Sequence, residues 1–242
     1  MLVAKFLPTA VLLVALATIA AARSMESRQH GAEKQDYQPG LEKDMIVKPI
    51  PYSPFYKPAG KLLGKVALIT GGDSGIGWSV AIHYCLEGPD VAIACLPEEM
   101  EDAAGNSTPL SGRSAVKQMK RSDVVINTAS IGAYRGSKGA ADYSASEGAV
   151  VAFTRSLSSN LVEKGIRVNA VAPGPLWTPL IPGRYPQELF CQTLLTGVCL
   201  ILAAFQTAEN VAQYGMDAPM KRPGEICELG PAYVFLASFD SS

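Results

Sequence analysis

Apolar positions along the chain fall into separate short blocks, and each block carries its own period. The run KVALIT, Lys65 to Thr70, is short, continuous and bounded by glycines, which predicts a strand buried on both faces. It passes straight into Gly71-Gly72-Asp73-Ser74-Gly75-Ile76-Gly77. Trp78 to Glu87 is then an amphipathic helical stretch, closed by Gly88 as its C-cap. Asp90 to Ala94 (DVAIA) supplies the next strand, and further strands are expected at DVVIN, from Asp123, and at IRVNAV, ending at Val171. Strand, glycine turn, helix and strand make the unit of an α/β fold, a Rossmann-type doubly wound parallel sheet.

The flanks read differently. Residues 1–22 hold an early charge at Lys5, an apolar centre from Phe6 to Ala17 and the small residues Ala20-Ala21-Ala22, a signal-peptide pattern that directs a chain to the secretory pathway. A noncleaved anchor fits less well, because the apolar run is short and broken by Pro8, Thr9 and Thr18. Initiation at Met25 would instead give a cytoplasmic protein. Residues 23–60 are polar and then proline-rich (Pro39, Pro49, Pro51, Pro54, Pro58), an extended arm. Such an arm either wraps over the domain or a partner subunit through Tyr52, Phe55 and Tyr56, or is a loose linker. The folded domain is expected over 61–242. Within it, residues 189–205 (LFCQTLLTGVCLILAAF) form an atypical apolar insert whose uninterrupted centre is shorter than a membrane span. A buried or surface-docked helix is favoured over a membrane span; a translated intron or an assembly error is the third reading.

Composition narrows the class. With 48% hydrophobic and 18% charged residues in 242, the chain has the make-up of one globular domain. A net charge of −1 leaves no basic field for a nucleic acid, which excludes it as a partner. Cys85, Cys95, Cys191, Cys199 and Cys227 are too scattered for a disulfide framework and contain no CxxC pair, so no metal site is expected and the thiols read as isolated buried groups. Asn106-Ser107-Thr108 is a glycosylation sequon, meaningful only if the leader operates.

Chemistry enters at the glycine turn. Gly71 permits the sharp reversal, Gly75 lets the backbone approach a diphosphate, and Gly77 lets the helix pack closely on the strand. The amides of the turn, with Ser74 and Ile76 between the glycines, then face phosphate oxygens at a helix N-terminus.

The spacing TGGDSGIG resembles the TGxxxGxG coenzyme motif of the short-chain dehydrogenase/reductase family. DVVINTASIGAYRGSKGAADYSASEGAVVAFTRSL, GIRVNAVAPGPLWTPLIP and ICELGPAYVFLAS are similar to that family in order and wording. With LPEEMEDA and the arm, the chain looks most like glucose and ribitol dehydrogenase homologues. The resemblance implies NAD or NADP as coenzyme, a small sugar or polyol as substrate, and leaves a homo-oligomer open. It assigns Tyr143 as the base that takes a hydroxyl proton and Ser130 as the donor that positions the oxygen. Pro173, Gly174 and Thr178 would meet the nicotinamide carboxamide. Choice between NAD and NADP is not settled: Cys95-Leu96 offers no acid for a ribose hydroxyl, and Ser74 and Trp78 offer no arginine for a phosphate.

Three departures from the family stand out. Glu147 occupies the place of the lysine in the YxxxK pattern, on the same helix face as Tyr143. A free phenol titrates near pH ~10; an ammonium favours the phenolate and a carboxylate opposes it, each by on the order of 3 kcal/mol at roughly 5 Å and an effective dielectric of about 20. Turnover is therefore expected to be severely impaired, less so if Glu147 is protonated or turned to solvent. Gly105 to Arg121, about 17 residues, stands where the family has its third and fourth strands, an adenine-contacting aspartate and a catalytic asparagine. The family's last strand is expected to be absent as well, giving an incomplete sheet in which the strands from Lys65 and Asp123 either pair directly or stand as open edges. Two functions follow: an NAD(P)-dependent oxidoreductase of alcohol and carbonyl groups, or a catalytically inactive nucleotide-binding relative or defective gene product.

Overall fold

The computed structural model describes residues 33–35, 40–95, 119–137, 140–183 and 211–242. The leader, the sequon and the insert 189–205 lie outside them.

Four strands are present among the described residues. Strand β1 (Val66–Thr70) leads into helix α1 (Gly75–Glu87) and strand β2 (Asp90–Ala94), which lies parallel to β1 with Val66 opposite Asp90 and Thr70 opposite Ala94. Strand β3 (Val124–Thr128) is followed by the short helix α2 (Gly132–Arg135), the long helix α3 (Ala141–Leu161) and strand β4 (Arg167–Val171). Strands β3 and β4 are also parallel, Val124 opposite Arg167 and Thr128 opposite Val171. Helix α4 (Gly230–Ala237) follows near the end.

The two parallel pairs are separate two-stranded sheets: β1 and β3 share no ladder. Direct pairing of the two strands, one of the arrangements expected for an incomplete sheet, is not found among the described residues. What joins the pairs is one core. Leu62, Val80, Tyr84, Tyr233 and Val234 are buried together, with Ala67, Ile69 and Val91 of the first pair and Ile126 and Val171 of the second packed against them. Helix α4 is the tie: the Thr128 and Tyr233 hydroxyls are 2.6 Å apart, and Tyr84 donates to the Tyr233 carbonyl at 3.3 Å. On the opposite face of the second pair, Val125 and Val168 pack with Leu157, Leu161 and Ile166 of α3 and its exit.

Strand β1 corrects an expectation. Only Ala67 and Ile69 meet the core; Val66 is 79% exposed and Leu68 36%. Helix α3 reaches β3 and β4, and no described helix covers the other face of β1. A continuous apolar run signals two covered faces only when both helical layers are complete.

Helix α1 ends as expected. Gly88 is left-handed at φ 88° and its amide donates to Tyr84 and Cys85. Its pattern is not simply amphipathic, however, because the polar Ser79, His83 and Glu87, spaced four apart, are all buried. The arm supplies several of their contacts. Ser79 donates to the Pro51 and Ile226 carbonyls, and Tyr56 donates to Glu87 at 2.5 Å while stacking edgewise on His83. Amides of Ala59 and Lys61 also donate to Glu87. Of the three arm aromatics, Tyr52 and Phe55 are exposed and only Tyr56 is anchored in this way. The thiols differ too: Cys227 is buried and pushed up to about 12 by that burial, but Cys85 is exposed on the outer face of α1.

Candidate active site

The glycine turn is built to the limit of close packing. Gly71 takes φ 64° and Gly75 φ 52°, left-handed values that favour glycine. A Cβ on Gly77 would lie 1.9 Å from the Gly71 carbonyl oxygen, so only glycine lets α1 start this close to the end of β1. Nothing lies within 4 Å of a Cβ on Gly71, which leaves open space beside the turn. Ser74 is the N-cap of α1 but makes no side-chain cap, and Ile76 turns its side chain into the core, so both offer the turn main chain.

The loop after β4 joins this turn to the second cluster. At its start the Pro173 carbonyl accepts from Ile131 at 3.0 Å, and a Cβ on Gly174 would sit 3.8 Å from the Ile131 side chain. At its far end Thr178 is buried 3.5 Å from the Cβ position of Gly75. Between these points the loop is clamped to Gly224 by Trp177 N–H donating to the Gly224 carbonyl and Gly224 N–H to the Pro175 carbonyl, each at 2.9 Å.

Ser130 and Tyr143 converge on Gly132. The Gly132 amide donates to Ser130 Oγ at 3.1 Å, and a Cβ on Gly132 would lie 3.4 Å from that oxygen and 3.2 Å from Tyr143 Cε1. Ser130 is positioned by the end of β3 and Tyr143 by the first turn of α3. One turn on, Glu147 is half-buried, makes no hydrogen bond or ion pair among the described residues, and is raised above the usual carboxylate range by burial. Burial makes its ionised form costlier than that of an exposed carboxylate, and Glu147 brings no positive charge to this face of α3.

Two neighbours escaped the sequence reading. Tyr214 lies close enough to interact electrostatically with Tyr143, and burial pushes its phenol up to about 12. Glu42, in the arm's short 3-10 turn Glu42–Asp44, accepts from the Gly75 amide at 3.3 Å. Neither stands in a recognisable motif. Among the described residues no group of three or more His, Cys, Asp or Glu could hold a metal ion, and no helix is long and apolar enough to cross a membrane.

A coenzyme fits one half of this arrangement. The cradle of Gly71, Gly75 and Gly77, with Thr178 beside it, suits a diphosphate; the end of β2 at Cys95 supplies no ribose-binding acid, and Glu147 no ribose-binding cation.

Comparison with known proteins gives the family. A family model described as Enoyl-(Acyl carrier protein) reductase matches residues 105–194. Glucose and ribitol dehydrogenase of Daucus carota is 36% identical, covering 88% of this chain and 92% of its own. NADPH-dependent aldehyde reductase 1, chloroplastic, of Arabidopsis thaliana is 33% identical over 85% of this chain and 90% of its own. The crystal structure of a short-chain dehydrogenase/reductase, a glucose/ribitol dehydrogenase from Brucella melitensis, superposes with a TM-score of 0.55 at 22% identity, covering 75% of this chain and 92% of that one. The chain belongs to the short-chain dehydrogenase/reductase family, whose members generally use NAD or NADP. Its alignment with the Daucus carota relative runs over 291 positions, more than its own 242 residues, so it crosses stretches to which this chain contributes nothing.

Proposed function

We propose that the protein binds NAD or NADP at the glycine turn and acts on alcohol or carbonyl groups of sugars or polyols, with turnover impaired at Glu147. The observation that carries this reading is the convergence of Ser130 and Tyr143 on Gly132, beside the loop that also reaches the glycine turn. Bound there, a nicotinamide coenzyme supplies or accepts hydride. Tyr143 then exchanges the hydroxyl proton, and Ser130 Oγ holds the substrate oxygen. Glu147 gives neither the charge that favours the phenolate nor a cationic hold on a ribose. Support for the substrate class comes from the relatives named for glucose, ribitol and aldehydes.

Glu147 and the short 105–121 segment favour a second reading, a nucleotide-binding relative without turnover. Titration by nicotinamide fluorescence, run beside a screen of sugar alcohols and aldehydes, separates the two. Slow turnover abolished by Tyr143→Phe supports the enzyme; binding with none supports the second reading. A folded protein that binds neither coenzyme removes both.

A further inference from the structure

We infer that the amino-terminal arm is an internal competitor for the coenzyme's diphosphate, with the Glu42 carboxylate on the Gly75 amide that a phosphate would otherwise engage. This rests on the coenzyme reading above.

The first observation is at the start of α1. Ser74 gives that helix no side-chain cap, and the anion that the Gly75 amide meets is Glu42, 33 residues upstream. A helix N-terminus attracts negative charge, and two anions cannot share one amide without repelling each other.

Another observation is how firmly the arm is seated on the far side of the same site. Gly40 lies so close to the loop that a Cβ would fall 2.2 Å from the Pro179 carbonyl oxygen, one residue beyond Thr178. Trp177, fully buried, donates from Nε1 to the Val47 carbonyl at 2.6 Å. Glu33 Oε2 accepts from the amides of Ile46 at 2.6 Å and Val47 at 3.1 Å, and Met45 packs on Trp177, Ile181 and Val211. One segment therefore holds the coenzyme loop by its outer side while its acid rests on the glycine turn. Coenzyme entry requires Glu42 to leave, and affinity is reduced by the fraction of molecules in which it is docked.

ADP-ribose, which carries the diphosphate without the nicotinamide, is the probe, titrated calorimetrically into the full chain. With the arm docked in about nine molecules of ten, Glu42→Gln and Glu42→Ala tighten binding by about tenfold. Equal or weaker binding by both variants, with melting curves that show an intact fold, overturns the inference while leaving the coenzyme reading standing. If neither wild type nor variants bind, the coenzyme reading falls and this inference with it. Should the variants not fold, amide exchange in the wild type decides. Residues 40–47 exchange faster with ADP-ribose present if the arm is displaced; slower exchange means that the arm closes on the ligand, and the inference is wrong.

Discussion

Gly77 rests directly on the main chain of Gly71: a methyl group there would also meet the Gly71 carbonyl carbon at 2.7 Å and the Gly72 α-carbon at 3.0 Å. Every atom in the way is backbone, so no rotamer can relieve the clash. Gly77→Ala should cost more than the ~1–3 kcal/mol usual for overpacking and should abolish ADP-ribose binding. Urea denaturation and calorimetry on the same sample test this; a variant with unchanged midpoint and affinity would refute it.

On the function proposed above, Glu147→Lys supplies the positive charge that the family pattern would place beside Tyr143. Oxidation of sugar alcohols should rise by at least about tenfold, and Tyr143→Phe in the same background should remove the gain. Initial rates with NAD and NADP are the measurement. No gain from a folded Glu147→Lys protein would mean that the 105–121 segment, and not the reversed charge, limits turnover.

Acid should loosen the arm. His83 donates from Nδ1 to the Ser79 carbonyl at 2.7 Å, and its buried Nε2 has no partner, so burial holds its imidazolium below the ordinary 6.5. Glu87 is pushed up by burial, but its hydrogen bonds from Tyr56, Lys61 and Ala59 prevail and hold it below the usual 4.5. For both groups the unfolded chain binds more protons than the fold. Their contributions are complete above those ordinary values and are lost as pH falls through the lower folded ones. Denaturation midpoints should therefore decline as pH falls below ~6.5, through His83, and again below ~4.5, through Glu87; His83→Leu should flatten the upper part of the slope. A midpoint independent of pH would contradict the burial of both groups.

Two sheets joined through one helix should not be equally robust to injury at that helix. Tyr233→Ala removes a buried side chain and the Thr128 contact together, a loss of about 3–5 kcal/mol on the scale of large core truncations. Amide exchange should then rise in β1 and β2 by a factor different from that in β3 and β4. Uniform acceleration across all four strands would show that α4 is not the tie.

Much of this arrangement was legible in the residues. The glycine spacing located the turn, Gly88 the helix end, and the thirteen-residue step from Ser130 to Tyr143 a pair that the fold brings together. What stayed hidden depends on contacts between distant segments. Ser79, His83 and Glu87 look like an outer polar stripe until the arm covers them; their four-residue spacing was a usable sign of a polar seat. Glu42 carries no sign at all, because its role comes from where residues 40–47 are seated. Strand β1 misled because its composition records a neighbour that the described fold does not place there.

That bare side of β1 has a practical bearing. With Val66 and Leu68 facing water next to an unladdered margin, each molecule carries its own adhesive strip. A charge on that strip blunts edge-to-edge pairing, so Val66→Lys should raise the concentration at which the protein stays in solution.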